Sequence, residues 1–138
     1  MELDSNDRGV RCNRHLLTDG TCDMTEPATD RHHDVVVIGG GQAGLAAGHQ
    51  LAEADLDFVV LDAEERTGDV WRRRWHSLRL FTPARHSGLP GLPFSGPPLG
   101  FPTKDEVADY LDGYAEHFHL PVQHSTRVTA VRQVGGRF

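Results

Sequence analysis

Two groups of residues have the types and spacing that chemistry requires. The first is Gly39-x-Gly41-x-x-Gly44, with Asp62 lying 18 positions beyond its last glycine. Glycines at this spacing allow a tight turn, a close backbone approach to a pyrophosphate, and tight packing of a helix on a strand. The unpaired N–H groups and partial positive charge of a helix start then face the anion. A carboxylate about 20 residues further on can accept hydrogen bonds from ribose hydroxyls. The second group is Trp71-Arg72-Arg73-Arg74-Trp75, which gathers three arginines and both tryptophans in a chain of net charge −6. Aromatic rings among guanidinium groups suit nucleic acid. They suit equally a small ligand that is part ring and part phosphate, and the stretch alone does not choose.

The elements around the glycines are those the motif needs. Asp34 to Ile38 is a short β-branched run, the pattern of a strand buried on both faces of a parallel sheet. A helical stretch from about Gln42 to Ala54 follows, with Gly48 placed to keep it close to the sheet, and a second β-rich run covers Asp57 to Leu61. Strand, turn, helix and strand make a βαβ unit. Dinucleotide binding on a Rossmann-like α/β fold with a parallel sheet is therefore the main expectation.

Residues 83–102 hold six of the eight prolines. A solvated linker would not carry Leu89, Leu92, Phe94, Leu99 and Phe101, so this segment is expected to pack as a loop. Thr103 and Glu106 have the spacing of a capping box. Val107, Tyr110, Leu111, Tyr114, Ala115 and Phe118 then recur at helical intervals, with both tyrosines read as core. Pro121 interrupts, Arg127 to Val134 reads as a strand, and Gly135-Gly136 is a hairpin turn signal. Phe138 falls two residues later, so the domain is expected to stop before its return strand.

Composition excludes several classes. A pI near 5.8 argues against non-specific attraction to nucleic acid or membranes as the main function. No apolar run approaches the roughly 20 residues of a membrane span. The N-terminus lacks the apolar core of a secretion signal, which makes cytoplasm the default location. Residues 1–33 show no sustained period and read as a disordered tail preceding a domain over 34–138. Cys12 and Cys22, with His15, His32 and His33 nearby, invite a metal site, but nine intervening residues are not the tight pair zinc prefers. No metal is expected.

FAD and NAD both use the glycine fingerprint, and the choice rests on resemblance. The stretches "VVVIGGGQAGLAAG", "FVVLDAEERTGDVWRRRW", "SLRLFTPARHSGLPGLPF" and "FPTKDEVADYLDGYAEHFHLPV" resemble, in the same order, the N-terminal part of flavin-containing monooxygenases and their bacterial relatives. The resemblance implies that Gly39, Gly41, Gln42, Ala43 and Gly44 hold the FAD pyrophosphate and that Asp62 takes the adenosine ribose. It implies that Gly68-Asp69-Val70-Trp71 corresponds to a Gly-Gly-x-Trp element whose backbone approaches pyrophosphate and flavin, here with Asp69 replacing the second glycine. Arg72 is then the arginine nearest the cofactor, while Arg73 and Arg74 face solvent or pair with carboxylates. Phe81 and Thr82 belong to a flavin-facing turn, and Val128 meets adenine through its backbone. Asp55 stands where the family usually has glycine, in a position calling for a left-handed backbone.

In the resembling proteins NADPH reduces FAD, and O2 then oxygenates a small-molecule substrate, with the flavin carrying the hard chemistry. No catalytic side-chain set is expected or found. The NADPH fingerprint would lie beyond residue 138, which implies a partial Rossmann-like FAD-binding domain, inactive or weak alone. A non-enzymatic dinucleotide-binding or partner-dependent module, or a fragment of an NAD-dependent dehydrogenase, is the alternative. No nucleic-acid or membrane partner is expected.

Overall fold

The computed structural model describes residues 32–135. Strand β1 (Val35–Ile38) leads through the glycine turn into helix α1 (Gln42–Glu53), and strand β2 (Phe58–Leu61) lies parallel to β1. A single-turn helix α2 (Asp69–Arg72), a 3-10 turn (Ala84–His86), helix α3 (Lys104–His117) and a short strand β3 (Val122–Gln123) complete the fold. The sheet is parallel throughout, in the order β1-β2-β3, with Val35 beside Phe58, Ile38 beside Leu61 and Val60 beside Val122. The expected βαβ unit is present, and the fold is Rossmann-like.

The core lies where α1 and α3 meet the sheet. It comprises Leu45, Phe58, Val60, Val107, Leu111, Tyr114 and Leu120. Gly48 lets α1 settle on β2, since a Cβ there would stand 3.2 Å from Phe58 Cε2 and 3.5 Å from Val60 Cγ2. β2, with a strand on either side, is buried at all four positions. β1 departs from expectation. It occupies the sheet edge, and only Val35 and Val37 pack against the core, leaving Val36 39% and Ile38 56% exposed.

The second departure concerns the last strand. Residues 127–134 form no continuous strand, only single bridge positions at Val128 and Val134. The edge of β2 is already taken at Val122–Gln123, where Val60 N–H donates to the Pro121 carbonyl at 3.0 Å and Asp62 N–H to the Gln123 carbonyl at 2.9 Å. No strand among the described residues lies beside 127–134 to complete a ladder. Pro121 thus opens β3 rather than ending order, supplying the carbonyl that a proline can still offer. Gly135 has the φ of +58° that a turn there would use; residues 136–138 lie outside the described residues.

The proline-rich segment packs, although not evenly. Leu89, Leu92 and Phe94 lie against the core, whereas Leu99 and Phe101 stay largely exposed. Two tyrosines of α3 fasten it. Tyr110 Oη accepts from Leu89 N–H and donates to the Leu92 carbonyl, each at 2.6 Å, and Tyr114 Oη donates to the Pro90 carbonyl at 2.6 Å. Burial pushes the Tyr114 phenol up to about 12, with smaller contributions from Tyr110 and Glu53. Thr103 caps α3 as expected. Its hydroxyl accepts from Glu106 N–H at 3.2 Å while its own N–H donates to Glu106 Oε2 at 2.7 Å, a bond that holds the Glu106 carboxyl below its ordinary range.

Residues 1–31, which carry both cysteines and most of the expected tail, lie outside the described residues. His33 does not, and its Nδ1 stands 3.0 Å from Asp57 Oδ1. No helix among the described residues is long and apolar enough to cross a membrane.

Candidate cofactor site

The glycine turn sits between the end of β1 and the start of α1, and its glycines answer to different constraints. Gly39 has φ +100°, a backbone that L side chains rarely adopt, and its N–H donates to the Leu61 carbonyl at 2.8 Å. A Cβ at Gly44 would be driven onto the Gly39 carbonyl oxygen, so that glycine lets the helix start against the turn. A Cβ at Gly40 would meet Asp62 Oδ2 at 2.5 Å. Gly41 differs from all of these. Its φ is −82°, and a Cβ there would meet nothing within 4 Å. No packing inside the chain asks for glycine at that position, which is what a backbone surface reserved for a close-approaching ligand looks like.

The helix start agrees. Gly41 is the N-cap of α1, offers no capping side chain, and no acid lies in the first turn, which includes Gln42, Ala43 and Gly44. α3 in the same chain has a full capping box and both Asp105 and Glu106 in its first turn. The positive end of α3 is thus neutralised internally, while that of α1 is left open to an anion.

Asp62 leaves β2 directly beside this turn. It is 9% exposed, its Oδ1 accepts from Glu64 N–H at 3.2 Å, and its Oδ2 is the oxygen nearest Gly40. The chain after β3 returns to the same place: Thr126 N–H donates to the Asp62 carbonyl and Ser125 N–H to the Glu64 carbonyl, each at 2.7 Å. Val128 follows two residues later and is half-buried. The structure therefore brings Gly39–Gly44, Asp62 and the approach to Val128 to the carboxyl ends of parallel strands, where open α/β sheets bind their ligands.

α2 is placed by α3. Gly68 has φ +86°, and a Cβ there would lie 2.6 Å from the Ala108 carbonyl oxygen and 2.9 Å from its Cα, so this glycine seats the turn on the backbone of α3. Val70 is 46% exposed, and Trp71 is half-buried against the core. Arg72 faces α3. Its Nη1 donates to the Thr67 carbonyl at 2.7 Å and to Asp69 Oδ1 at 3.1 Å, its Nη2 donates to Asp109 Oδ1 at 3.1 Å, and Asp112 Oδ2 is 3.6 Å away. Partial burial works against its charge, but the Asp109 and Asp69 bonds and the nearby Asp112 outweigh that and raise the guanidinium. Arg73 is exposed and pairs with Glu64. Phe81 is 93% exposed, and Thr82 Oγ1 lies 3.1 Å from Ser87 Oγ. Those two belong to a loop tied separately, by Leu80 N–H to the Pro102 carbonyl at 2.8 Å.

Sequence reasoning missed three features. Gly40 falls on an unspecified position of the fingerprint, although it lies beside Asp62. Asp109 and Asp112 are spaced one helical turn apart, and that acidic stripe was a readable signal of a basic partner. Thr67 Oγ1 and His124 Nε2 stand 3.0 Å apart across 57 residues, with no local signal at all. Two surface clefts, one of about 170 Å³ around Phe94 and Pro102 and one of about 630 Å³ around Ala115 and His124, lie away from the glycine turn.

Residues 36–138 match the family described as pyridine nucleotide-disulphide oxidoreductase. The "uncharacterized oxidoreductase CzcO-like" of Geobacillus kaustophilus is 50% identical over 100 residues, 72% of this chain and 29% of that protein. The flavin-containing monooxygenase from Stenotrophomonas maltophilia is 47% identical with a TM-score of 0.69, covering 75% of this chain and 31% of that one. OTEMO, solved in complex with FAD and NADP, is 26% identical with a TM-score of 0.60, covering 71% of this chain and 20% of that one. The chain spans less than a third of the length of these relatives. The match over residues 36–138 shows that the chain belongs to the pyridine nucleotide-disulphide oxidoreductase family, and in sequence and fold it is similar to a flavin-containing monooxygenase.

Proposed function

We propose that this chain binds FAD at the glycine turn and forms the dinucleotide-binding part of a flavin-dependent monooxygenase. The observation that carries the proposal is Gly41, a glycine at an uncapped helix start with open space where its side chain would be. In this reading the backbone from Gly39 to Gly44 holds the pyrophosphate, the Asp62 carboxylate accepts from the adenosine ribose, and the Val128 backbone meets adenine. Val70, Trp71, Phe81 and Thr82 border the flavin end, where the exposure of Val70 and Phe81 leaves apolar surface for a ring to cover. FAD, when bound, supplies the redox and oxygen chemistry, and these residues bind and orient it.

NADPH, O2 and a small-molecule substrate belong to the same proposal for the larger enzyme. Residues 1–138 contain no second GxGxxG on which NADPH could rest. A cytoplasmic location belongs to the same proposal. The test is titration of the purified chain with FAD, following quenching of flavin fluorescence. Saturable binding of one FAD per chain, weakened by Gly41→Ala, is expected. Absence of saturable binding, or binding indifferent to Gly41, overturns the proposal.

A further inference from the structure

We infer that Arg72 is a positioning residue rather than a phosphate ligand: the carboxylates of α3 hold its guanidinium so that it fixes the Thr67–Trp71 turn. This inference deepens the FAD proposal and rests on it for what the turn meets. Five contacts close on one short segment. The Arg72 side chain folds back to the Thr67 carbonyl at 2.7 Å, and its own carbonyl accepts from Lys104 Nζ at 3.0 Å. Lys104 is a buried cation at the first position of α3. Asp109 and Asp112, further along α3, take the outer face of the guanidinium. Gly68, in the middle, has its bare Cα against the Ala108 backbone.

The charge count decides the role. Arg72 has three carboxylates within 3.6 Å, from Asp69, Asp109 and Asp112. A guanidinium so surrounded has committed three hydrogen bonds and much of its field before an anionic ligand arrives, and a phosphate approaching it would meet those carboxylates as well. Its remaining effect is geometric. The turn it closes is tied at Thr67 Oγ1 to His124 Nε2, and the His124 carbonyl accepts from Thr126 Oγ1. Thr126 N–H in turn donates to the Asp62 backbone carbonyl. Hydrogen bonds therefore link, residue by residue, the acids of α3 through Arg72 and Thr67 to the backbone of Asp62, the residue whose carboxylate is proposed for the ribose.

A direct phosphate ligand and a brace respond differently to loss of Asp109 and Asp112. Arg72→Ala, Arg72→Lys, the double substitution Asp109→Asn with Asp112→Asn, and their combination should be prepared in the full chain with Trp75→Phe, so that Trp71 is the sole tryptophan. As a brace, Arg72→Ala and the double Asn variant each weaken FAD binding by roughly tenfold, a coupling of ordinary size for one network, and their combination adds little more. The dependence of FAD affinity on salt stays that of the parent, because no cation touching the phosphate has been lost. Trp71 emission moves to the red in the FAD-free protein for both variants, a change visible without any cofactor. Lysine cannot span Thr67 and two carboxylates at once, and Arg72→Lys restores neither property. Full FAD affinity in the double Asn variant, combined with weakened and less salt-sensitive binding in Arg72→Ala, would make Arg72 a direct ligand and overturn the inference. Failure of the parent chain to bind FAD would sink the FAD proposal instead, and unchanged Trp71 emission in both variants would then sink the brace as well.

Discussion

Gly41→Ala and Gly44→Ala separate the needs of the ligand from those of the fold. A methyl at Gly44 is driven onto the Gly39 carbonyl, a backbone atom of a residue itself pinned by its N–H bond to Leu61. No rotamer change relieves that contact, so the cost falls at or beyond the upper end of ordinary overpacking, about 3 kcal/mol. For a domain of this size that lowers Tm by roughly 12–24 °C. Gly41→Ala works differently, because its φ of −82° suits alanine and nothing lies in the way. Restricting the unfolded chain gains about 0.4–1 kcal/mol, and alanine is worse than glycine at an N-cap by a similar amount. The net change is near zero, and Tm moves by a few degrees at most. FAD affinity behaves in the opposite way, since a methyl standing where pyrophosphate meets backbone costs about 1–3 kcal/mol, or roughly 5–150-fold. Thermal melts of the FAD-free variants and FAD titrations provide both numbers. If Gly41→Ala melts as low as Gly44→Ala, the open space at Gly41 is not real. If it keeps both its Tm and its FAD affinity, the turn is not the seat of the pyrophosphate.

Three further outcomes follow from the packing. Gly68→Ala combines a φ of +86° with a Cβ 2.6 Å from the Ala108 carbonyl oxygen and should destabilise by about 3 kcal/mol or more, read from the urea midpoint. A midpoint within experimental error of the parent would show that α2 is free to move off α3. Tyr114 has a folded pKa of about 12 against about 10 unfolded, so the native state keeps a proton that the unfolded chain releases. Stability is then fully present below pH 10 and falls by about 2–3 kcal/mol as pH rises to about 12. Urea midpoints across that range should show the fall in the parent and a smaller one in Tyr114→Phe. Asp55 sits at φ +54°, and Asp55→Gly should raise stability by up to about 1 kcal/mol as relief of the left-handed penalty exceeds the entropy glycine costs. A lower Tm in that variant would mean that its carboxylate helps hold the turn.

What could be read from the sequence was local, and what could not was distant. The β1–turn–α1–β2 unit is legible because each part announces itself within a few residues: a β-branched run, glycines at fixed spacing, then helical periodicity. The capping box of α3 needs only Thr103 and Glu106, three positions apart. The left-handed backbone at Asp55 was legible through a single departure from the family pattern. β3 was not. Two residues have no period, and Val122–Gln123 becomes a strand only because Val60 and Asp62 present unpaired N–H groups to it. Residues 127–134 had the better pattern, but among the described residues no strand lies beside them, and a ladder needs two sides.

The arginine triplet shows the same limit at the scale of one side chain. Three identical residues in a row carry no signal of which will face a ligand. Their fates are set by α2, a single turn, which puts Arg72 three residues after Asp69 and aims it at acids 37 and 40 positions away in sequence. Arg73, one position on, turns outward to Glu64. The glycines make the converse point. The fingerprint names Gly39, Gly41 and Gly44 as one motif, yet only Gly41 is without a reason inside the chain, and Gly40, which the fingerprint leaves unspecified, stands against Asp62. A spacing motif records which positions must be small without recording what each must be small for. Two of its three glycines would be needed in this fold with no dinucleotide present, so the case for a ligand comes down to the third.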